Sequence, residues 1–309
     1  MTQPLRIGTR NSRLALLQTS HVVKRIQSAM PDITVEIFQI RTTGDSIHDT
    51  PLDQIGSTGI FTKEIEKALM ENRIDAAVHS LKDLESTLPE GLLLGAVPVR
   101  EDVCDVLIAS PGSTLENLPI GARILTSSLR RKAQLLYYRG DFTIEPVRGN
   151  VETRVRRFYQ SGAHGLVIAA AGVKRLSLEQ HIAEYIPVDV IIPAVGQGAI
   201  GVEIRTDDER AHAVCDEINN TALYQTALGE RSFLRTIQGG CKVPVGCIGK
   251  AEGNSITLTG FIAVNDGSRL IKHSLSGTLA KSAHIGKMLA EDILNAGGNE
   301  ILEQFHRRN

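Results

Sequence analysis

Four short segments of the sequence gather arginines, hydroxyls and a carboxylate directly after apolar runs. The first is Thr9-Arg10-Asn11-Ser12-Arg13. Ser12 suits a helix N-cap, whose free N–H groups favour an anion, although an ordinary cap with solvated arginines explains the same residues. His79-Ser80-Leu81-Lys82-Asp83 sets a cation beside a carboxylate. Such a carboxylate can stabilise a cationic intermediate or move a proton, and a surface ion pair is the bland counterpart. Thr126-Ser127-Ser128-Leu129-Arg130-Arg131 offers three hydroxyls, a helix start and two guanidinium forks. Consecutive arginines are not expected to serve one packed face, so carboxylate or phosphate recognition is favoured. Val147-Arg148-Gly149-Asn150 leads to Arg154 one helical turn on, with Arg156 and Arg157 expected on the solvated side. Finally, Gly239-Gly240-Cys241-Lys242 places a thiol on a turn, where the neighbouring lysine favours thiolate. No histidine nearby completes a Cys-His dyad.

These segments need a scaffold that delivers them to one place. Residues 5–8, 33–41, 76–78 and 92–99 read as strands, with helical spacing over 14–26 and 59–72. A second unit of the same style has strands at 106–109, 123–125, 143–147, 166–169 and 188–192, and helices at 129–138 and 151–161. Strand–helix alternation implies mostly parallel sheets, with ligands at the carboxyl ends of the strands. From about residue 220 the style changes. A helix over 223–236, strands at 243–250, 255–264 and 269–276, and a helix over 280–295 suggest a small α+β part with an antiparallel sheet. No internal repeat is evident.

Composition narrows the function. The 309 residues carry 34 basic and 35 acidic side chains, so a nucleic-acid or membrane-surface binder is not expected. There is no Trp, which disfavours a base-stacking platform. No apolar run approaches the ~20 residues of a membrane span. The cysteines Cys104, Cys215, Cys241 and Cys247 form no CxxC pair and no Cys/His ligand cluster, so neither a disulfide frame nor a metal site is expected. No phosphate-cradling GxxxxGK[ST] loop is present, which disfavours an ATPase. A cytosolic chain with reduced thiols is the expectation. Arginine outnumbers lysine 23 to 11, and several of the arginines sit at strand exits. The ligand should carry several negative charges.

Taken together, the segments resemble the porphobilinogen deaminase (hydroxymethylbilane synthase) family. The matching runs include Arg10-Asn11-Ser12-Arg13-Leu14-Ala15-Leu16, Gly59-Ile60-Phe61-Thr62-Lys63-Glu64, His79-Ser80-Leu81-Lys82-Asp83, Thr126-Ser127-Ser128-Leu129-Arg130-Arg131, Arg148-Gly149-Asn150, Pro193-Ala194-Val195-Gly196-Gln197-Gly198 and Gly239-Gly240-Cys241-Lys242-Val243-Pro244. Any one is a weak signal; all of them in family order make a strong one. The resemblance implies an α/β fold of two doubly wound lobes of the periplasmic-binding type plus a small C-terminal α+β domain. The implied division is 1–99 with 199–217, 104–192, and 220–309. It also implies a transferase that joins four porphobilinogen units head to tail with loss of ammonia, giving linear hydroxymethylbilane for tetrapyrrole biosynthesis. A catalytically impaired paralogue that only binds polycarboxylates is the alternative.

What the resemblance assigns to residues is specific. Asp83 matches the catalytic aspartate, and Cys241 the anchor of a dipyrromethane cofactor held by a thioether. Lys82, Ser80, Thr126, Ser128, Arg130, Arg131, Arg148 and Arg154 are implied to bind that cofactor. Arg10, Ser12, Gln18, Phe61, Arg148, Arg154, Arg175 and Gln197 are implied to bind substrate. No nucleic-acid, membrane or metal partner is implied, and a monomer is expected. The sequence departs from the family pattern in four places. Leu125 replaces a glycine, Gly56-Ser57-Thr58 stands for Gly-Gly-Lys, Glu85 for a proline, and His164 for an acidic residue.

Overall fold

The computed structural model describes residues 3–46, 59, 61–237 and 243–306. The chain opens with β1 (Leu5–Arg10), α1 (Arg13–Ala29), β2 (Val35–Ile40), α2 (Thr43–Ser46), α3 (Lys63–Met70), β3 (Ala76–Ser80), a 3₁₀ turn (Leu81–Asp83) and β4 (Leu92–Arg100). It continues through β5 (Asp105–Ile108), β6 (Arg123–Leu125), α4 (Leu129–Tyr138), β7 (Thr143–Glu145), α5 (Val151–Ser161), β8 (Gly165–Ala169), α6 (Ala170–Arg175) and β9 (Ile182–Ile186). Then come β10 (Ala199–Arg205), α7 (Glu209–Ile218) and α8 (Thr221–Ile237). The last elements are β11 (Val245–Glu252), β12 (Ser255–Ala263), β13 (Leu270–Thr278), α9 (Ser282–Ile293) and α10 (Asn299–His306).

Two compact units result, residues 1–101 with 198–227 and residues 102–197 with 228–309. The first holds a five-stranded sheet ordered β2-β1-β3-β10-β4, in which β10 alone runs against its neighbours. The second holds a sheet ordered β7-β6-β8-β5-β9, in which β5 alone is reversed. Replacing β1, β2, β3, β10 and β4 by β6, β7, β8, β5 and β9 turns one order into the other. The reversed strand of each sheet is the first one laid down when the chain enters that unit from the other. The second unit also contains the antiparallel sheet β11-β12-β13. This is the expected α/β fold of two doubly wound lobes and an antiparallel C-terminal part. Among the described residues, no helix is long and apolar enough to cross a membrane.

Alternation along the strands sorts the first sheet's faces. Leu5, Ile7, Val78, Val202 and Ile204 pack under α1 and α7, with Val22, Ile26 and Val214. Ala77 faces the other way, into Ile65, Ala68 and Leu69 of α3. In the second sheet, Leu107, Ile124 and Val167 meet Leu135 of α4. Val106, Ile108 and Ile168 meet Val155 and Phe158 of α5 and Val173 of α6. Burial on both faces explains why β5 and β8 read as unbroken apolar runs after Asp105.

Side-chain caps fix where the helices begin. Ser12 accepts from Ala15 N–H, Ser128 from Arg131 N–H and Asn150 from Thr153 N–H. Each leaves a helix N-terminus at a strand exit. At Gly149, φ is +103° and an added Cβ would lie 2.6 Å from the Thr153 side chain, so the turn into α5 needs glycine.

Some expectations were wrong. Residues 188–192 form no strand; the strand is β9, six residues earlier. Only the last two residues of that apolar run, Ile191 and Ile192, are buried, and side chains satisfy the backbone of Ile192. Gln134 accepts from Ile192 N–H at 2.7 Å, while Arg130 and Gln134 donate to Ile192 C=O. The helix expected over 59–72 begins at Lys63, after a turn at Gly59. α2, α6, α7 and α10 were not anticipated.

In the second unit, α9 packs against α8 through Gly286, where an added Cβ would come 2.0 Å from Gly229 C=O. Gly286→Ala should therefore destabilise the protein by about 1–3 kcal/mol despite alanine's better helix propensity. A lower midpoint in urea unfolding would show it.

Candidate functional site

In the first unit, six of the expected residues converge. Arg10, Ser12, Gln18, Phe61, Ser80 and Asp83 line one cavity of about 60 Å³, with Thr62, Val78 and His79. β1 delivers Arg10 and the α1 start brings Ser12 and Gln18, while β3 and its 3₁₀ turn carry Ser80 and Asp83. The Arg10 guanidinium lies 4.1 Å from the Phe61 ring centre, a cation–π contact that holds the fork over the cavity. Gln18 Nε2 donates to Ser80 Oγ at 2.8 Å and ties α1 to β3. Lys82 and Asp83 are both exposed on the turn. A carboxylate at a cavity lined by a guanidinium and hydroxyls can stabilise a positive charge on a bound, anionic ligand.

In the second unit, the arginines are arranged differently from the sequence expectation. Arg130 and Arg131 are adjacent, yet both are buried and both reach one carboxylate. Arg130 Nη2 donates to Asp105 Oδ2 at 2.7 Å, and Arg131 Nη2 to Asp105 Oδ1 at 2.8 Å. Gln197 Nε2 donates to Oδ1 as well, at 2.9 Å, and to Val103 C=O. The two oxygens of one carboxylate let consecutive residues share a packed site, which corrects the assumption that they diverge. Burial alone would raise the Asp105 carboxyl, but Arg130 and then Arg131 outweigh it and hold the acid far below the usual carboxylate range. Burial lowers Arg130, with Asp105 opposing, yet a guanidinium stays charged at any ordinary pH. The cluster carries one net positive charge, and Arg131 Nε remains a buried donor with no partner.

The hydroxyls and the remaining arginines sit at the starts of α4 and α5 and at the end of α6. Thr126 Oγ1 accepts from Ser128 N–H, and Ser127 Oγ donates to Val147 C=O at 2.7 Å, joining the start of α4 to the Arg148 turn. Arg154 Nε donates to Gly149 C=O, and Arg157, exposed as expected, donates to Arg148 C=O. Arg175 ends α6 rather than following a strand directly. Cys241 and Lys242 lie outside the described residues. Two other thiols are disarmed. Burial, then a hydrogen bond with Asp102, pushes Cys104 up to about 11, and burial pushes Cys215 up to about 12. Cys247 is fully buried.

A family model described as the dipyromethane cofactor binding domain of porphobilinogen deaminase matches residues 5–213, and the porphobilinogen deaminase C-terminal domain matches residues 224–295. The chain belongs to the porphobilinogen deaminase family. A relative named porphobilinogen deaminase from Geobacter sulfurreducens is 45% identical over 98% of this chain and 95% of its own length. Another of that name from a Roseiflexus species is 47% identical over 98% and 99%. Among solved structures, the periplasmic aliphatic sulphonate binding protein SsuA from Escherichia coli is similar with a TM-score of 0.42 and 15% identity, over 77% of this chain and 71% of that one.

The departures from the porphobilinogen deaminase pattern have visible places. Leu125 ends β6 and is buried in the core beneath α5. His164 is exposed, and its Nδ1 accepts from Arg123 N–H. Glu85 accepts from Gly59 N–H at 2.7 Å, at the edge of the segment that lacks the family lysine; Thr58 itself lies outside the described residues. Two groups escaped the sequence reading. One is Asp105, whose signal was an acid opening a wholly apolar strand. The other is the buried pair His79–Glu203, Nε2 to Oε2 3.0 Å, on neighbouring strands 124 residues apart.

Asp105→Asn should cost about 3–5 kcal/mol at neutral pH, because two buried guanidiniums lose their counter-charge. A depressed carboxyl stabilises the fold above its unfolded value and loses that contribution as pH falls. The stability gap between wild type and variant should therefore narrow below about pH 4 in urea unfolding.

Proposed function

We propose that this chain joins four porphobilinogen units head to tail, releasing ammonia at each bond, to give linear hydroxymethylbilane. The observation that carries the reading is the cavity shared by Arg10, Ser12, Gln18, Phe61, Ser80 and Asp83. Each pyrrole unit bears an acetate and a propionate, so its recognition needs forks and hydroxyl donors beside the reacting ring. Loss of ammonia leaves a cationic azafulvene, and a fixed carboxylate lowers the barrier to a developing cation. Asp83, which lines that cavity, is the carboxylate assigned to this task. Arg10 and Ser12 bind the ring's carboxylates, and Phe61 keeps the Arg10 fork oriented.

The residues fit a dipyrromethane. Its carboxylates match an arginine cluster with net positive charge and an unpartnered Arg131 N–H, the helix start capped by Ser128, and the guanidiniums of Arg148 and Arg154. Lys82 and Ser80 supply further donors, with Thr126 at the α4 turn; Arg175 and Gln197 complete the substrate set. Cys104 and Cys215 are unfit to form thiolate and Cys247 is fully buried, which supports Cys241, beside Lys242, as the thioether anchor. When bound, the dipyrromethane supplies the pyrrole end from which the chain grows. Three domains, 1–99 with 199–217, 104–192 and 220–309, are the proposed division. A monomeric cytoplasmic enzyme of the hydroxymethylbilane synthase type completes the proposal. No observation favours the impaired polycarboxylate receptor.

The intact mass of the purified protein should exceed the chain mass by one dipyrromethane, and Cys241→Ser should remove that increment. Asp83→Ala should keep its fold by circular dichroism and release ammonia at least about 10²-fold more slowly. An unmodified wild-type mass after incubation with porphobilinogen, or full turnover by Asp83→Ala, would contradict the reading.

A further inference from the structure

Two of the departures from the family pattern meet at one hydrogen bond. Glu85 stands in place of a proline, and Gly59 follows the 56–58 run that lacks the lysine. Glu85 Oε1 accepts from Gly59 N–H at 2.7 Å. A proline side chain has no acceptor, so this contact belongs to this chain and not to the family pattern. Glu85 is half-buried and lies two residues beyond Asp83, while Gly59 lies two residues before Phe61. The bond therefore ties the turn that carries the cavity's carboxylate to the turn that carries its aromatic ring.

Gly59 is the fixed point for the residues that follow it. Its C=O accepts from Thr62 N–H at 3.1 Å and from Lys63 N–H at 3.0 Å. These are donors at the start of α3, where the Thr62 side chain makes no cap hydrogen bond. Phe61 thus sits in a closed turn whose N–H is held by Glu85 and whose C=O is held by α3. Its ring has little freedom inside that turn. The Arg10 guanidinium lies 4.1 Å from the ring centre, and a Cβ added to Gly44 of α2 would come within 2.2 Å of the ring edge. Thr43 N–H donates to Glu64 Oε1 at 3.0 Å, which fastens α2 to the first turn of α3.

We propose that Glu85 is a positioning residue for substrate recognition: by holding Gly59 N–H it fixes the turn that seats Phe61 against Arg10, and so aims the Arg10 fork at a substrate carboxylate. This rests on the functional reading above, in which Arg10 grips a carboxylate of the pyrrole ring. That carboxylate takes no part in making or breaking bonds. The grip is therefore equal in the ground and transition states, and it acts on KM rather than on kcat. Asp83 does not depend on the same bond. Its 3₁₀ turn is closed by Leu84 N–H donating to Leu81 C=O at 3.3 Å, and Leu81 and Leu84 are both buried in the core. Glu85 thus acts on one side of the cavity, that of the ring and the fork.

Glu85→Ala removes the acceptor, whereas Glu85→Gln keeps an oxygen in its place. In ammonia-release kinetics with porphobilinogen, Glu85→Ala should raise KM about 5- to 10-fold with kcat within about twofold of wild type. Glu85→Gln should return KM to within about twofold of wild type. Phe61→Ala should raise KM as well, and adding Glu85→Ala to it should change KM by less than about twofold more, since the ring through which Glu85 acts is gone. Hydrogen–deuterium exchange of peptides covering residues 59–65 needs no substrate; it should quicken in Glu85→Ala and not in Glu85→Gln. An unchanged KM in Glu85→Ala would overturn the proposal. So would a fall in kcat at constant KM, which would put the action of Glu85 on Asp83, or a Glu85→Ala effect of equal size with and without Phe61. Should Glu85→Ala not fold by circular dichroism, Glu85→Asp, whose carboxylate is one methylene shorter, is judged on the same criteria. A wild type that releases no ammonia would instead refute the functional reading, while the exchange rates still decide whether Glu85 holds the turn.

Discussion

A charge taken out of water must find its opposite, and that requirement organises the second unit. Asp105 has no exposure, so its carboxylate exists only because Arg130, Arg131 and Gln197 converge on it. The same contacts join α4, the first residue of β5 and the segment before β10. Arg130 and Gln134 extend the network to the Ile192 backbone, which no strand satisfies. The positive end of α4, its two forks and its hydroxyl-bearing turn are thereby held in one geometry. Pre-organised donors of this kind cost no rearrangement when an anion arrives.

The first unit meets the same requirement with different parts. Arg10 is held over Phe61, Gln18 over Ser80, and His79 against Glu203. Because the two sheets share a strand order, β1 and β6 are equivalent, and each runs into a serine-capped helix, at Ser12 and at Ser128. Two anion-preferring helix starts follow from one topology used twice. No repeat in the sequence announces this, because the topology depends on which strands pair and not on which residues recur.

Much of the site was legible because its residues are local. Ser12, Ser80 and Asp83, and likewise Thr126, Ser128 and Arg130, sit within a few residues of a strand end, where helix caps and turns leave a direct signature. The helices over 129–138 and 151–161 were legible to the residue, since their caps and apolar spacing agree. Residues 188–192 misled because an apolar run states burial and not conformation. Val190 and Ile191 N–H turn back to Pro187 C=O, and the Ile192 backbone is satisfied by Gln134 and Arg130, 58 and 62 residues distant. Asp105 was missed for the same reason: its partners lie 25, 26 and 92 residues away.

The sequence by itself determined most of the element types, the alternation of strands and helices, the capped helix starts and the family. These depend on neighbours along the chain, where periodicity and cap chemistry act over a few residues. Only the tertiary structure decided that two adjacent arginines share one buried acid, that His79 is held by Glu203, and that six residues from separate elements line one cavity. Those outcomes come from strand order and from the cost of burying charge, and both are settled between elements far apart in sequence.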